Sequence, residues 1–191
     1  MLLVYYVAIG QFLGAARAIP QFAIYIFTGL IAWQLFLEIV TTSTASIVSN
    51  AGLVKKVYLP REVFPLSAVG GALFTFLTQT IILAGAVVVS GQIPGGSRLL
   101  YIPLSLAVLL VFATAFGLVL AAVNVYLRDV QYLVEISATI FFWLSPIVYS
   151  WRLVSETLDG SWLETLYLCN PVTLAVLGMQ RAIWVCLLYT S

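Results

Sequence analysis

"NAGLVKKVYLPREVFPL", residues 50–66, is the stretch on which the reading of this chain turns. Lys55, Lys56, Arg61 and Glu62 crowd into it beside Pro60 and Pro65, although charged residues make up only 8% of the sequence. Before it stands "FAIYIFTGLIAWQLFL" (22–37), and from within it grows "LSAVGGALFTFLTQTIILAGAVVVS" (66–90). Uninterrupted apolar runs of about 20 residues are what a helix needs to cross hydrocarbon. The quoted stretch is therefore a short polar connection between two membrane spans.

The same grammar continues outward. Residues 1–13 read as the end of a further span, followed by the loop "GAARAIPQ" (14–21). A cleaved leader with "ARA" (16–18) as its cutting site is disfavoured, because no positive charge precedes the apolar run and Arg17 lies inside the site. The second span begins near Phe22, and its helix is expected to run on through "EIVTTSTASIVS" (38–49), where Glu38 and the Ser/Thr run suit an interface or a protein-lined cavity. The third span begins at Pro65, the fourth covers about 99–123 after the loop "GQIPGGSR" (91–98), and the fifth covers 132–149. The last apolar region, "YLCNPVTLAVLGMQRAIWVCLLYT" (167–190), is interrupted by Asn170–Pro171 and by Arg181.

Composition agrees. The chain has 191 residues, 63% of them hydrophobic, and a mean hydropathy of +1.12. Soluble domains hold roughly 45–50% apolar and about 25% charged residues. The expected fold is an all-α polytopic membrane protein forming one domain over 1–191, with about five of six transmembrane helices present. A β-barrel would need short alternating segments instead of these long runs. The net charge of +1 gives no reason to propose nucleic acid. Histidine is absent, and Cys169 and Cys186 have no ligand-like spacing, so no metal or cofactor is expected.

Lys55, Lys56, Arg61 and Arg128 fall on one side of the membrane, against Arg17, Arg98 and Arg152 on the other. The balance and the local density at 55–61 place the 50–65 segment in the cytoplasm. A short helix between Asn50 and Pro60 would gather Leu53, Val54, Val57 and Tyr58 on one side and the lysines on another, and Pro60 would end it. The plainer reading is a topogenic loop resting on headgroups, whose basic charge merely holds orientation.

Three pieces in order carry a more specific resemblance: "NAGLVKKVYLPREVFPLSAV", "NVYLRDVQYLVEI…FFWLSPIVYSW" and "LYLCNPVTLAVLGMQRAIW". Together they resemble type 2 ATP-binding-cassette exporter permeases, particularly those exporting polysaccharide, O-antigen and teichoic acid. The resemblance implies a homodimeric, multi-pass permease of the cytoplasmic membrane, served by two copies of a separate ATPase and moving a glycan or lipid-linked glycan. It implies that Asn50, Leu53, Val54, Lys55, Lys56, Val57, Tyr58, Pro60, Arg61 and Glu62 form a coupling segment that docks on the ATPase. Arg128, Asp129 and Glu135 would form a cytoplasmic gate or ion pair. Ser145, Pro146, Tyr149, Asn170, Pro171 and Arg181 would belong to re-entrant gate helices on the outer side, whereas Pro146 by itself reads as a kink in span five. The family's N-terminal amphipathic helix and completed last span have no counterpart, so a fragment is expected, with non-native residues at its end.

Other readings stay open at this stage. Related permeases export drugs or small lipids. A membrane-embedded transferase is disfavoured by the missing histidine and by the scattered carboxylates Glu38, Asp129 and Glu135. A passive channel would need no coupling segment. Trp33, Phe36, Tyr126 and Phe141 are candidate path-lining aromatics, Trp143, Tyr149 and Trp151 suit an interfacial belt, and Gly70–Gly71 suits close helix packing. The topology is directly testable. A single cysteine at Tyr58→Cys should be labelled by an impermeant maleimide only when the cytoplasmic face is open, and labelling from the opposite face alone would overturn the assignment.

Overall fold

A computed structural model describes residues 22–54, 56, 60–89, 100–145, 147 and 170–183. Over these residues the fold is all-α: α1 (Phe22–Ser49), α2 (Ala51–Val54), α3 (Val63–Val89), α4 (Tyr101–Tyr126), α5 (Val130–Leu144) and α6 (Pro171–Ile183). Three of them, α1, α3 and α4, are long and apolar enough to cross a membrane, and α5 is a shorter apolar helix. The span expected over 1–13 lies outside the described residues.

The bundle is organised around α1, which packs against α3, α4, α5 and α6. Its Tyr25, Ile26, Leu35 and Ile39 are fully buried, so it is covered around most of its circumference. Hydroxyls on such a helix must be satisfied locally. Thr28 donates to the Ile24 carbonyl at 2.8 Å, Thr41 to Leu37 at 2.7 Å and Thr44 to Val40 at 2.7 Å. The Ser/Thr run of 41–46 is thus an internal part of the bundle, with Ser43, Thr44 and Ser46 all buried.

The outer helices bury only a stripe. On α4 the stripe is Ser105, Leu109, Ala113, Gly117, Ala121 and Asn124, close to one residue per helical turn. On α5 it is Val130, Val134, Ala138 and Phe142. Lipid removes the hydrophobic drive for helix association, so small residues at four-residue spacing matter because they let backbones approach. At Gly117 that approach is made to Ser43, whose Cβ lies only 3.0 Å from where a Cβ on the glycine would stand. Opposite these stripes, Phe74, Ile81, Val111, Val119 and Ile136 point outward, as lipid-facing side chains can.

Several boundaries differ from the sequence reading. The third span begins at Val63, two residues before Pro65, which occupies the first turn where a missing N–H breaks no internal bond. The fifth ends at Leu144 and is not kinked onward. Ser145 is extended (φ −95°, ψ 141°), the conformation that a following proline imposes. Asn170–Pro171 starts a helix: the Val172 N–H donates to Asn170 Oδ1 at 3.0 Å, making Asn170 the cap and Pro171 the first helical residue. Among the described residues, Gly70 and Gly71 meet nothing within 4 Å of an added Cβ. Their place on α3 is on its exposed side.

Gly117→Leu should therefore force α1 and α4 apart and cost about 1–3 kcal/mol, whereas Gly71→Leu should change stability by no more than about 0.5 kcal/mol. Thermal unfolding of the two variants in the same detergent checks the contrast.

Candidate functional site

The basic connection is anchored at both ends by α1. Asn50 closes the helix: its Nδ2 donates to the Ser46 carbonyl at 2.8 Å. The four-residue α2 follows, with the Val54 N–H donating to the Asn50 carbonyl at 3.1 Å. Val54 is half-buried, while Asn50, Lys56, Pro60, Arg61 and Glu62 are exposed. The Leu53 side chain, Lys55, Val57 and Tyr58 lie outside the described residues.

Two contacts just inside the bundle tie this connection down. Ser43 Oγ donates to the Pro65 carbonyl at 3.3 Å, joining α1 to the first turn of α3. Asn124 Nδ2 donates to the Thr44 carbonyl at 2.9 Å, joining α1 to the last turn of α4. Both contacts are buried. Adjacent residues of one helix thus hold the two neighbours that flank the connection. Buried hydroxyl-to-carbonyl and amide-to-carbonyl bonds of this kind resist separation because water cannot replace the partner.

Arg128 and Asp129 occupy the turn between α4 and α5, and both are exposed. Asp129 sits at the start of α5 without a side-chain capping bond. Glu135 lies on the exposed side of α5.

Higher in the bundle, α1, α3 and α5 form the walls of an open groove of about 600 Å³. Its lining includes Trp33, Gln34, Gln79, Thr139, Phe142 and Trp143. Small-molecule sites fall at about 300–1,000 Å³. Trp33 and Phe142 meet edge to face with centroids 5.6 Å apart, and Phe142 meets Trp143 likewise at 5.8 Å, so α1 and α5 are joined by an aromatic chain. One turn toward the basic connection, Thr75 Oγ1 of α3 donates to Glu38 Oε1 of α1 at 3.1 Å. A separate, almost wholly apolar cavity of about 120 Å³ lies between α1, α4 and α5, with Asn170 and Val172 also on its wall. Phe36, Phe112 and Phe116 line it as a stacked series, 6.0 and 5.9 Å between centroids.

Of the outer-side residues, Ser145 is buried, Asn170 and Pro171 open α6, and Arg181 is exposed in the last turn of α6. Pro146 and Tyr149 lie outside the described residues. Among the path-lining candidates, Trp33 borders the groove and Phe36 and Phe141 the apolar cavity, while Tyr126 is exposed at the end of α4. Residues that the sequence did not single out are Ser43, Asn124, Gly29, Thr173 and Gln180. A Cβ at Gly29 would stand 3.0 Å from Gln180 Nε2 and 3.1 Å from Ile147 Cγ2, so α1 needs the glycine there. Gln180 is fully buried, and neither amide atom has a hydrogen-bond partner among the described residues. A single polar side chain in an apolar run, such as Asn124, was the available signal.

Comparison with known proteins places this geometry in context. The family described as "ABC-2 type transporter" matches residues 1–184. Two proteins of Klebsiella pneumoniae named O-antigen export system permease protein RfbA are 30% identical to this chain, over 163 and 162 residues. A Myxococcus xanthus protein of the same name is 29% identical over 162 residues. Each match covers 85% of this chain and 61% of the relative, so the chain spans about three-fifths of the length of those relatives.

The buried amides should behave oppositely on replacement. Asn124→Leu deletes an interhelical bond and should cost about 0.6–2 kcal/mol. Gln180→Met removes an amide without partners and should leave stability equal or higher. Thermal unfolding of both proteins in one detergent reads the difference.

Proposed function

The chain belongs to the ABC-2 type transporter family and is a multi-pass protein of the cytoplasmic membrane, and from that premise we propose that it is the permease part of an ATP-driven exporter of polysaccharide or lipid-linked glycan. The cargo follows the relatives, whose names state O-antigen export. The sequence given contains no GxxxxGK[ST] phosphate-binding loop. Hydrolysis is accordingly assigned to a separate ATPase, two copies acting on a pair of permeases, and the permease itself catalyses nothing.

The observation that carries the coupling role is the double tie of α1 at Ser43 and Thr44. The segment 50–62 leaves α1 at Asn50 and enters α3 at Val63, and Ser43 binds the carbonyl of Pro65 beyond it. A displacement of the segment cannot be absorbed by separating α1 from α3, so it passes into α1 as a body. Through Asn124 it also reaches the end of α4 and the turn that holds Arg128 and Asp129. Farther along, the same α1 carries Trp33 and Gln34 into the groove wall. Closure of two ATPases would thus be converted into movement of a groove lined by aromatic rings and amides, groups suited to sugar faces and hydroxyls. In this reading Ser145, Pro146, Tyr149, Asn170, Pro171 and Arg181 belong to the outer exit.

The apolar cavity beside Phe36, Phe112 and Phe116 favours a second reading, export of a drug or small lipid. One experiment addresses coupling and cargo together. In the full-length permease expressed with its ATPase, Lys55→Glu and Lys56→Glu combined with Leu53→Asp should lower ATPase co-purification and glycan export at least about tenfold, with membrane insertion retained. Association and export at wild-type levels would overturn the coupling role. Export of a lipophilic dye with no glycan export in the wild type would overturn the cargo.

A further inference from the structure

The apolar cavity has features that neither coupling nor a glycan path requires. Its lining on α1, α4 and α5 lies near the middle of those helices, and Asn170 and Val172 at the start of α6 complete the wall. Three near-parallel rings lead into it from the surface. Phe116 is 40% exposed, Phe112 half-buried and Phe36 only 6% exposed, with 9° between successive ring planes. Phe141 of α5 is on the same lining and is 47% exposed. The cavity therefore reaches the surface of the bundle between α4 and α5, two helices that meet each other at few points although both pack on α1. Beside this opening the surface is apolar: Val119, one turn from Phe116, and Ile140, next to Phe141, are both exposed.

Among the described residues no charged side chain lines the cavity. Its two polar side chains are spent locally: Ser137 Oγ donates to the Val134 carbonyl at 3.0 Å, and Asn170 Oδ1 accepts the Val172 N–H at 3.0 Å. Internal water needs two to four polar partners, whereas an apolar void of roughly 150 Å³ stays dry and takes up a benzene-sized solute. At about 120 Å³ this cavity is of that kind. Left empty, it forfeits dispersion contacts along every ring of its wall. A bilayer supplies a fitting ligand at the opening, the flexible end of a hydrocarbon chain. With no charge on the wall, the chain is recognised and the headgroup is not.

We propose that the cavity is a lateral binding site for the end of one acyl chain of a bilayer phospholipid, which enters between α4 and α5 and remains as a fixed part of the bundle. The chain end occupies the space bordered by Phe36, Phe112 and Val134, and props α5 against α1 and the start of α6. It is a resident lipid and not cargo, so the assignment holds whichever substrate the permease exports.

Photolabelling of the full-length permease–ATPase complex in liposomes tests this, with a phosphatidylcholine that carries a diazirine at the end of one acyl chain. Peptide mapping should find label on Phe36 or Val40, both buried on α1, as well as on the exposed Val119. Val40→Phe fills the cavity from α1 and Val134→Phe fills it from α5. Each should lower labelling of Phe36 at least about fivefold by taking the chain's space, with Val119 labelled as before. Because the two substitutions sit on different helices, the result does not hang on the folding of one variant, and a monodisperse elution profile certifies each. Labelling of Phe36 should be the same with and without ATP turnover. Absence of label from both Phe36 and Val40 in the wild type overturns the site, as does label on Phe36 that persists in both filled variants. Loss of that label during ATP turnover overturns the resident role and makes the chain part of the cargo. Label from a diazirine polyprenyl phosphate but not from the phospholipid overturns the bilayer as its source.

Discussion

A polar group buried in protein that loses its partner finds no water to replace it, and the contacts of Ser43 and Thr44 on α1 are built under that constraint. Ser43 reaches the Pro65 carbonyl, and the Thr44 carbonyl receives Asn124. Separating α1 from either neighbour would strand a buried donor or acceptor. Gly117 lets α4 come close enough for this to happen, because any larger residue would collide with Ser43. The arrangement joins the ends of α1, α3 and α4 near the basic connection into a single mechanical unit, with that connection as its exposed edge.

A stiff base gives the rest of α1 its importance. The helix runs from Phe22 to Ser49 without proline and packs against α3, α4, α5 and α6, as α4 also packs against each of the other long helices. Its end next to the basic connection holds the tie, and its middle supplies Trp33 and Gln34 to the groove. Motion imposed at one end has no flexible joint in which to dissipate before it reaches the groove wall. At the opposite end Gly29 admits Gln180 and Ile147 at close range, so the outer contacts of α1 are also made by packing of backbone against side chain.

Much of this was legible in the residues. Runs of apolar length located α1, α3 and α4, since the thickness of hydrocarbon fixes how many residues must be apolar. Prolines mark the helix boundaries, and their local effect differs from the sequence reading at one of them. Pro146 by itself reads as a kink, whereas α5 stops at Leu144; the break expected at Asn170–Pro171 is where α6 starts. A proline ends or opens a helix according to which neighbouring groups can cap it, and Asn170 supplies such a cap through its own side chain. Small residues such as Gly70–Gly71 permit close approach, but only the arrangement of neighbours decides whether anything approaches, and among the described residues nothing does there. Gly117, in the less conspicuous stripe of α4, is where it occurs.

The sequence by itself determined the solvent of this protein, its helical class, the apolar runs that become α1, α3 and α4, and the family to which it belongs. Those properties are set by local composition and spacing, which the bilayer reads residue by residue. Only the tertiary structure decided that Ser43 and Asn124 serve the same tie, that Glu38 meets Thr75 of another helix, and that Gln34, Gln79 and Thr139 face one groove. Which side of a helix meets which neighbour depends on rotation and packing of whole helices, and in lipid an apolar face carries no mark of whether it will meet protein or hydrocarbon.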